Sequence, residues 1–163
     1  MLQLSPRHRL SVPVDASLIA PDRMIGLARS AIERLRIRVG NRLADLAEHF
    51  IVAGDAEKPQ IVVLGDCKSC RNFGARMSSG LLRVEGHGGH YLGERMCGGE
   101  IQVDGSAGDG LGAEMSGGLI NVRGSAGGHI GWRHESRRGQ QGGTILVRGN
   151  SSDQPAMGMR QAW

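Results

Sequence analysis

The sequence predicts a mainly β fold, a right-handed parallel β-helix whose coils hold about 19 residues, with a helical cap at its N-terminal end. A unit of this length repeats three times in succession between Gly74 and Gly131. Each copy holds five or six glycines, which excludes helical repeats because an interior glycine costs a helix about 1 kcal/mol. Each copy also contains a Leu/Ile-x-Val alternation, which places both side chains on one face of a strand.

Equivalent apolar positions of successive copies predict ladders of like side chains inside the stack, because each unit of a solenoid buries its apolar face against its neighbours. The methionine ladder consists of Met77, Met96 and Met115. The strand ladders contain Leu82, Val84, Ile101, Val103, Ile120 and Val122, and continue to Ile145 and Val147. A third ladder is predicted for Leu92, Leu111 and Ile130. Glycines between these positions suit tight corners.

The chain of 163 residues has the length of about one domain, and its apolar fraction of 39% includes only 3% aromatic residues. Of its 27 glycines, 23 lie between Gly65 and Gly149, so the composition changes near residue 55. No apolar run is long enough to cross a membrane, and the first 21 residues lack the apolar core of a signal peptide. We therefore expect a cytoplasmic protein with no membrane partner, whose three cysteines are reduced thiols.

The N-terminal extension, residues 1–55, is expected to cap the β-helix of residues 56–163. An interrupted edge strand is predicted between Leu10 and Val14. Residues 21–36 carry an apolar stripe at helical spacing, which predicts an amphipathic helix that covers the open first coil. A turn at Gly40-Asn41, a helical turn within residues 43–48 and a strand at Phe50-x-Val52 follow.

The coils begin at the strand Ile61-x-Val63, and their regular spacing is broken after Gly131. There, six additional residues separate the corner from the strand that contains Ile145. The segment that contains these additional residues has the sequence WRHESRRGQQGG and replaces the usual GxxMxGG unit; we call it the insertion. A fifth coil is expected to open at Ala156, with Met159 in the methionine ladder.

Candidate metal and catalytic groups are sparse. Cys67 and Cys70 could supply half of a metal site with Cys97 as a third ligand, but no fourth cysteine or suitably spaced histidine completes a tetrahedral set. We therefore expect no metal site and spare thiols at corners. Glu85 and Asp104 align with Arg123, which indicates a charge-compensated surface ladder in place of a pair of catalytic acids. The sequence thus predicts no catalytic residue.

The basic insertion is the strongest candidate for a functional surface. Its residues Arg133, His134, Arg137 and Arg138 can pair with carboxylates, and the formal net charge of +4 favours an anionic partner. The hypothesis is contact with an acidic partner subunit or an acidic carrier molecule; the alternative is a solvated loop. Nucleic acid is not expected because the basic residues are not interleaved with stacking aromatics. Nucleotide binding is not expected because no helix follows the glycine-rich corners.

The repeat and its flanks resemble the GXGXG domain that forms the C subunit of formylmethanofuran dehydrogenases, a domain also found at the C-terminus of the glutamate synthase large subunit. Two flanks favour the dehydrogenase family. The segment Val39-Gly40-Asn41-Arg42, followed by the Phe50-containing strand, is similar to the segment that precedes the coils in that family. The insertion that starts at Gly131-Trp132-Arg133 is similar to its longer coil. The resemblance covers about residues 39–153.

This resemblance implies a noncatalytic scaffold subunit of an enzyme complex in one-carbon metabolism, with no activity of its own. In the bacterial formyltransferase/hydrolase complex, a formyl group passes from formyl-tetrahydromethanopterin to a methanofuran-type carrier and is released as formate. Amidohydrolase-like, formyltransferase and molybdoenzyme-like subunits are the implied partners, and the carrier is the implied cofactor of the complex. A molybdenum or tungsten dehydrogenase, an amidotransferase complex and an independent binding module remain alternatives.

Overall fold

The computed structural model describes residues 1–132 and 142–152, which form a parallel β-helix closed at one end by an antiparallel cap. The strands are β1 (Leu2–Pro6), β2 (Val14–Asp15), β3 (Arg36–Val39), β4 (Arg42–Asp45), β5 (Phe50–Ala53), β6 (Gln60–Leu64), β7 (Cys70–Arg71), β8 (Leu81–Glu85), β9 (Glu100–Val103), β10 (Leu119–Val122) and β11 (Thr144–Val147). The helices are α1 (Pro21–Met24), α2 (Arg29–Glu33) and α3 (Leu46–His49). The predicted parallel β-helix is confirmed.

The coils stack along one long sheet with the strand order β11-β10-β9-β8-β6-β1-β5. Neighbouring strands from β6 to β11 are parallel, and each residue pairs with the residue at the equivalent position of the next coil. Ile101 thus lies between Leu82 and Ile120. The predicted strand and methionine ladders are confirmed as the core: Met77, Met96, Met115, Ile101, Val103, Ile120 and Val122 are buried, and Ile145 and Val147 pack against them.

The corners are tight because the backbone of one coil approaches the backbone of the next. A Cβ at Gly98 would lie 2.2 Å from the carbonyl oxygen of Ser78, and a Cβ at Gly117 would lie 2.3 Å from that of Cys97. No other residue type fits these two positions without moving the coils apart. Three non-glycine residues have left-handed backbone conformations at one equivalent corner position: Arg76, Arg95 and Glu114.

Side chains at a second corner hold successive coils together by accepting backbone hydrogen bonds. The His87 Nδ1 accepts from the Ser106 amide at 3.1 Å, the Ser106 Oγ accepts from the Ser125 amide, and the Ser125 Oγ accepts from the Asn150 amide. Each side chain thus accepts a hydrogen bond from the backbone amide at the equivalent position of the next coil. His87 therefore has a structural role at a corner, as a link in this chain of hydrogen bonds.

The first 24 residues form an additional coil that the repeat pattern did not predict. Strand β1 lies parallel to β6, with Leu2 opposite Ile61 and Leu4 opposite Val63, so both strand ladders extend by one member. Strand β2 lies parallel to β7. The carbonyl of Ile19 accepts a hydrogen bond from the Gly74 amide. In the same way, the carbonyls of Phe73 and Leu92 accept from the amides of Gly93 and Gly112 in the next coils.

The predicted helix over residues 21–36 is wrong. The structure has two short helices, α1 and α2, separated by Gly26 at a φ of +76°. Of the predicted apolar stripe only Met24 and Ile32 are buried, whereas Leu27, Ala28 and Ala31 are exposed and Leu35 is partly buried. The left-handed Gly26 breaks the helical path, and from Arg36 the alternation of buried and exposed residues is that of a strand.

Antiparallel strands cap the additional coil. Strand β5 pairs with β1, and β3 pairs with β2 and continues through the Gly40-Asn41 turn into β4. The predicted turn and the Phe50-x-Val52 strand are confirmed, whereas the predicted strand from Leu10 to Val14 is reduced to β2. The helical turn lies at Leu46–His49, slightly after its expected position. Phe50, Leu46 and Ile37 are buried in one core that is continuous with that of the coils.

Candidate interaction surfaces

The basic insertion lies outside the described residues, so the positions of Arg133, His134, Arg137 and Arg138 are not described. Its first flank is described. Trp132 makes an edge-to-face contact with His129 at a ring-centroid distance of 5.4 Å. Both line a recess of about 150 Å³ together with Tyr91 and Asp109. Trp132, the last described residue before residues 133–141, therefore lines an aromatic recess.

Cys67 and Cys70 lie together in the core, whereas Cys97 is exposed at a different corner. The Cys70 amide donates to the Cys67 carbonyl at 2.9 Å. A hydrogen bond with the Cys67 side chain, together with burial, raises the pKa of the Cys70 thiol far above its usual range. Cys70 is therefore protonated at neutral pH and is not a nucleophile. The Cys97 Sγ lies 3.6 Å from the Met77 carbonyl oxygen.

The outer face of the long sheet carries the charge ladder that the sequence indicates. Asp104 lies between two arginines, with Arg83 Nη2 at 2.9 Å and Arg123 Nη1 at 3.1 Å from its oxygens. The carboxylate of Asp104 raises the pKa of the Arg83 guanidinium. Arg83, which sequence reasoning missed, also lies 3.5 Å from Glu85. Within this ladder, Glu85 and Asp104 are both paired with arginines, so their charges are compensated.

A groove lies at the capped end of the stack. It consists of two adjoining parts with volumes of about 900 and about 550 Å³, which share His8, Leu10 and Ser11. Residues 7–13, which have no regular secondary structure, run along both parts. We call this surface the cap groove. Its further lining includes Arg9, Asp66, Lys68 and Ser69 on one side and Val12, Pro13, Val39, Asn41, Arg42 and His49 on the other.

His49 is a buried polar side chain in the cap groove, with only 7% of its surface exposed. Neither of its ring nitrogens has a hydrogen-bond partner among the described residues. His8 packs edge-on against it, with the ring centroids 5.2 Å apart. Burial, followed by the charges of His8 and Arg42, lowers the pKa of His49. The lowered pKa favours the neutral form of the ring. The ring has unused hydrogen-bonding capacity, which is unusual for a buried polar group.

Three further features of the described residues bear on function. Among residues 1–132 and 142–152, no three histidine, cysteine or acidic side chains are placed to hold a metal ion together. No helix in the same ranges is long and apolar enough to cross a membrane. Sequence reasoning missed the cap groove, although the basic run Arg7-His8-Arg9 beside the first strand was a visible signal.

No protein-family model matches the chain. Among curated proteins, it is 32% identical over 94 residues to the C subunit of the tungsten-containing formylmethanofuran dehydrogenase 2 of Methanothermobacter marburgensis, covering 55% of this chain and 35% of that protein. It is 33% identical over 93 residues to the C subunit of the molybdenum-containing formylmethanofuran dehydrogenase 1 of Methanosarcina barkeri, covering 55% of this chain and 31% of that protein. The chain thus spans about a third of the length of these relatives.

A solved structure extends the similarity into the cap. It is the crystal structure of the formyltransferase/hydrolase complex (FhcABCD) from Methylorubrum extorquens in complex with methylofuran. One of its chains superposes with a TM-score of 0.88 and 33% identity, covering 97% of this chain and 60% of that chain. The resemblance predicted from the glycine repeat and its flanks is confirmed by these matches.

Proposed function

We propose that this chain, a homologue of the C subunit of formylmethanofuran dehydrogenases, is a noncatalytic structural subunit of a formyltransferase/hydrolase complex in one-carbon metabolism. The observation that carries the proposal is the structural similarity, which runs through the coils and the cap alike and covers 97% of the chain. In such a complex, other subunits transfer the formyl group to a methanofuran-type carrier and release formate.

The character of the stack supports a structural role. Its core consists of ladders of buried aliphatic and methionine side chains, and its coils are joined by backbone hydrogen bonds at every corner. Such a stack is stiff along its length and offers long lateral faces to neighbours. The paired acids of the charge ladder and the protonated Cys70 offer no nucleophile or general base. We accordingly assign the chemistry to partner subunits.

The proposed partners are amidohydrolase-like, formyltransferase and molybdoenzyme-like subunits. The basic insertion is the proposed contact for one of them or for an acidic carrier, through Arg133, His134, Arg137 and Arg138. A carrier, methylofuran, is bound in the solved complex. We include a cytoplasmic location in the proposal, and free Cys67, Cys70 and Cys97 are compatible with it.

Purification of the chain from its own host tests the proposal. A tag on the chain is expected to recover larger subunits, identified by mass spectrometry, that catalyse formyl transfer and formate release. The chain alone is expected to be inactive. Recovery of the chain as a free monomer, or turnover by the chain alone, would contradict the proposal.

The insertion can be tested in the same preparation. Arg137→Ala with Arg138→Ala is expected to lower subunit recovery or the affinity of the complex for its carrier. A matched control is Arg34→Ala with Arg38→Ala, which removes the same charge from exposed positions of the cap. Equal recovery and equal carrier affinity for both double variants would remove the insertion from the proposal.

A tungsten or molybdenum formylmethanofuran dehydrogenase is the second candidate for the host complex, favoured by the names of the curated relatives. Elemental analysis of the purified complex separates the two. Stoichiometric tungsten or molybdenum would assign the chain to the dehydrogenase, and formate release without either metal would assign it to the hydrolytic complex.

A further inference from the structure

We propose that the cap groove receives an extended, carboxylate-bearing peptide segment of a partner subunit. This inference rests on the proposed function because it requires a host complex. The groove is bordered by residues 7–13, which have no regular secondary structure. Four features of the groove point to this occupant.

The first feature is a row of free main-chain donors. Within the described residues, the amides of Arg9, Ser11 and Val12 donate no hydrogen bond, although the segment is flanked by paired strands. The carbonyls of Leu10 and Pro13 are already used by the Ser69 hydroxyl and the Gly40 amide. An extended peptide can accept hydrogen bonds from such amides through its own carbonyls, as in strand addition to a sheet edge.

The second feature is an excess of positive charge. The positively charged side chains that line the groove are Arg9, Arg42 and Lys68. The only lining acid is Asp66, which lies 3.8 Å from Lys68. Glu48 lies beside the groove, at 3.9 Å from Arg42, and both side chains are well exposed. Arg9 has no acidic partner among the described residues. Carboxylates are the complementary groups.

The third feature is the buried His49 ring. Both of its nitrogens lack partners among the described residues, and a buried polar group without a hydrogen bond costs free energy. His8, which packs edge-on against His49, is itself exposed, and its Nδ1 lies 3.2 Å from the Arg9 carbonyl oxygen. A carboxylate that replaces His8 over the His49 ring would supply the missing acceptor and a counter-charge for the imidazolium form.

The fourth feature is apolar surface between the charges. Val12 is 44% exposed, and Pro13 and Val39 line the same part of the groove. Alternating side chains of an extended peptide would place apolar groups here and carboxylates beside Arg9 and Arg42. This mixture disfavours nucleic acid. The only aromatic rings in the lining are His8 and His49, and they pack on each other and leave no stacking platform.

Charge reversal in the reconstituted complex tests the inference. The groove variant combines Arg9→Glu with Arg42→Glu, and the matched control combines Arg34→Glu with Arg38→Glu, which are exposed cap residues outside the groove. The affinity of the full chain for its co-purifying subunits is measured by titration at fixed salt. The groove variant is expected to bind at least roughly tenfold more weakly than the control, because reversed charges repel the carboxylates.

Photo-crosslinking identifies the occupant directly. A benzoylphenylalanine introduced at Val12 in the assembled complex is expected to crosslink to a partner-subunit peptide that contains Asp or Glu. A crosslink to a second copy of this chain, to nucleic acid or to no partner would overturn the inference. This result decides the matter if the groove variant unfolds at a lower temperature than the control.

The outcomes separate the two proposals. If the wild-type chain recovers no subunits, the proposed function fails and the inference fails with it. If the wild-type chain assembles and the groove variant assembles as well as the control, the inference alone is overturned. Weakened assembly of a folded groove variant, with a crosslink to an acidic partner segment, supports both.

Discussion

The strands of the coils and the strands of the cap obtain their hydrogen-bonding partners and their core contacts in different ways. In the coils, strands β8, β9 and β10 each have an equivalent strand on both sides, so one 19-residue pattern supplies donors, acceptors and core side chains repeatedly. In the cap, the parallel pattern ends at β1 and β2, and antiparallel strands β5 and β3 cover their outer edges. The coils therefore depend on repetition, whereas the cap depends on particular side chains.

The additional coil, which joins the cap to the regular coils, makes an equivalent corner contact although it lacks the repeat sequence. At the corner of a regular coil, the Cys97 amide donates to the Met77 carbonyl of the coil below. One coil earlier, the Ser78 amide instead donates to the Asp22 carboxylate at 2.9 Å, and the Ser78 hydroxyl donates to the same oxygen. A side chain thus takes the place of a missing backbone carbonyl. The comparison predicts different sensitivities for the two regions.

The largest effect is expected for a charge placed in the core of a coil. Ile101→Asp buries a carboxylate among aliphatic ladders and should destabilise the fold by about 4 kcal/mol or more, enough to unfold many domains. Ile51→Asp is the matched control, because Ile51 is also a strand residue but is 45% exposed in the cap. Urea unfolding followed by circular dichroism measures both. Similar losses for the two variants would contradict the assigned core.

A second difference is expected at glycines. Gly98→Ala places a methyl group 2.2 Å from a backbone oxygen of the adjacent coil and should cost about 2 to 3 kcal/mol. In the cap, Gly26→Ala meets no atom within 4 Å and should cost only about 1 kcal/mol, from its left-handed backbone. Thermal unfolding of both variants compares them. A larger loss for Gly26→Ala would reverse the comparison between coils and cap.

A smaller effect is expected at the junction. Asp22→Ala removes the acceptor of two Ser78 hydrogen bonds and should lower the free energy of unfolding by about 1.5 kcal/mol. Asp22→Asn keeps one acceptor oxygen and should lose less. Denaturant unfolding of the two variants tests whether the Asp22 carboxylate takes the place of the missing backbone carbonyl. Equal stability of Asp22→Ala and the wild type would show that it does not.

The smallest expected effect is a pH dependence that arises in the cap. Burial lowers the pKa of His49 below its ordinary value of 6.5, so the unfolded chain binds more protons than the folded chain between these two pKa values. The free energy of unfolding should therefore fall as the pH falls below 6.5, until the pH passes the folded-state pKa. His49→Gln should flatten that part of the profile. An unchanged slope in this variant would assign the pH dependence to other groups.

Periodicity made the coils predictable, and its absence hid the additional coil that the first 24 residues form. The ladders at Met96, Ile101 and Val103 follow from a spacing that any two copies reveal. The helix predicted over residues 21–36 is wrong because apolar spacing carries no information on the backbone conformation of Gly26. The left-handed conformation of this glycine interrupts the helix. The cap groove was not predicted, because it forms where residues 7–13 meet His49 and Lys68, which are distant in sequence.

Hydrogen exchange resolved to single amides tests the central claim that the N-terminal segment acts as a further coil of the stack. The amides of Gly93 and Gly112 donate to Phe73 and Leu92 of the preceding coils, and the amide of Gly74 donates in the same way to Ile19. We predict that Gly74 exchanges as slowly as Gly93 and Gly112. Fast exchange at Gly74 beside slow exchange at Gly93 and Gly112 would contradict the account.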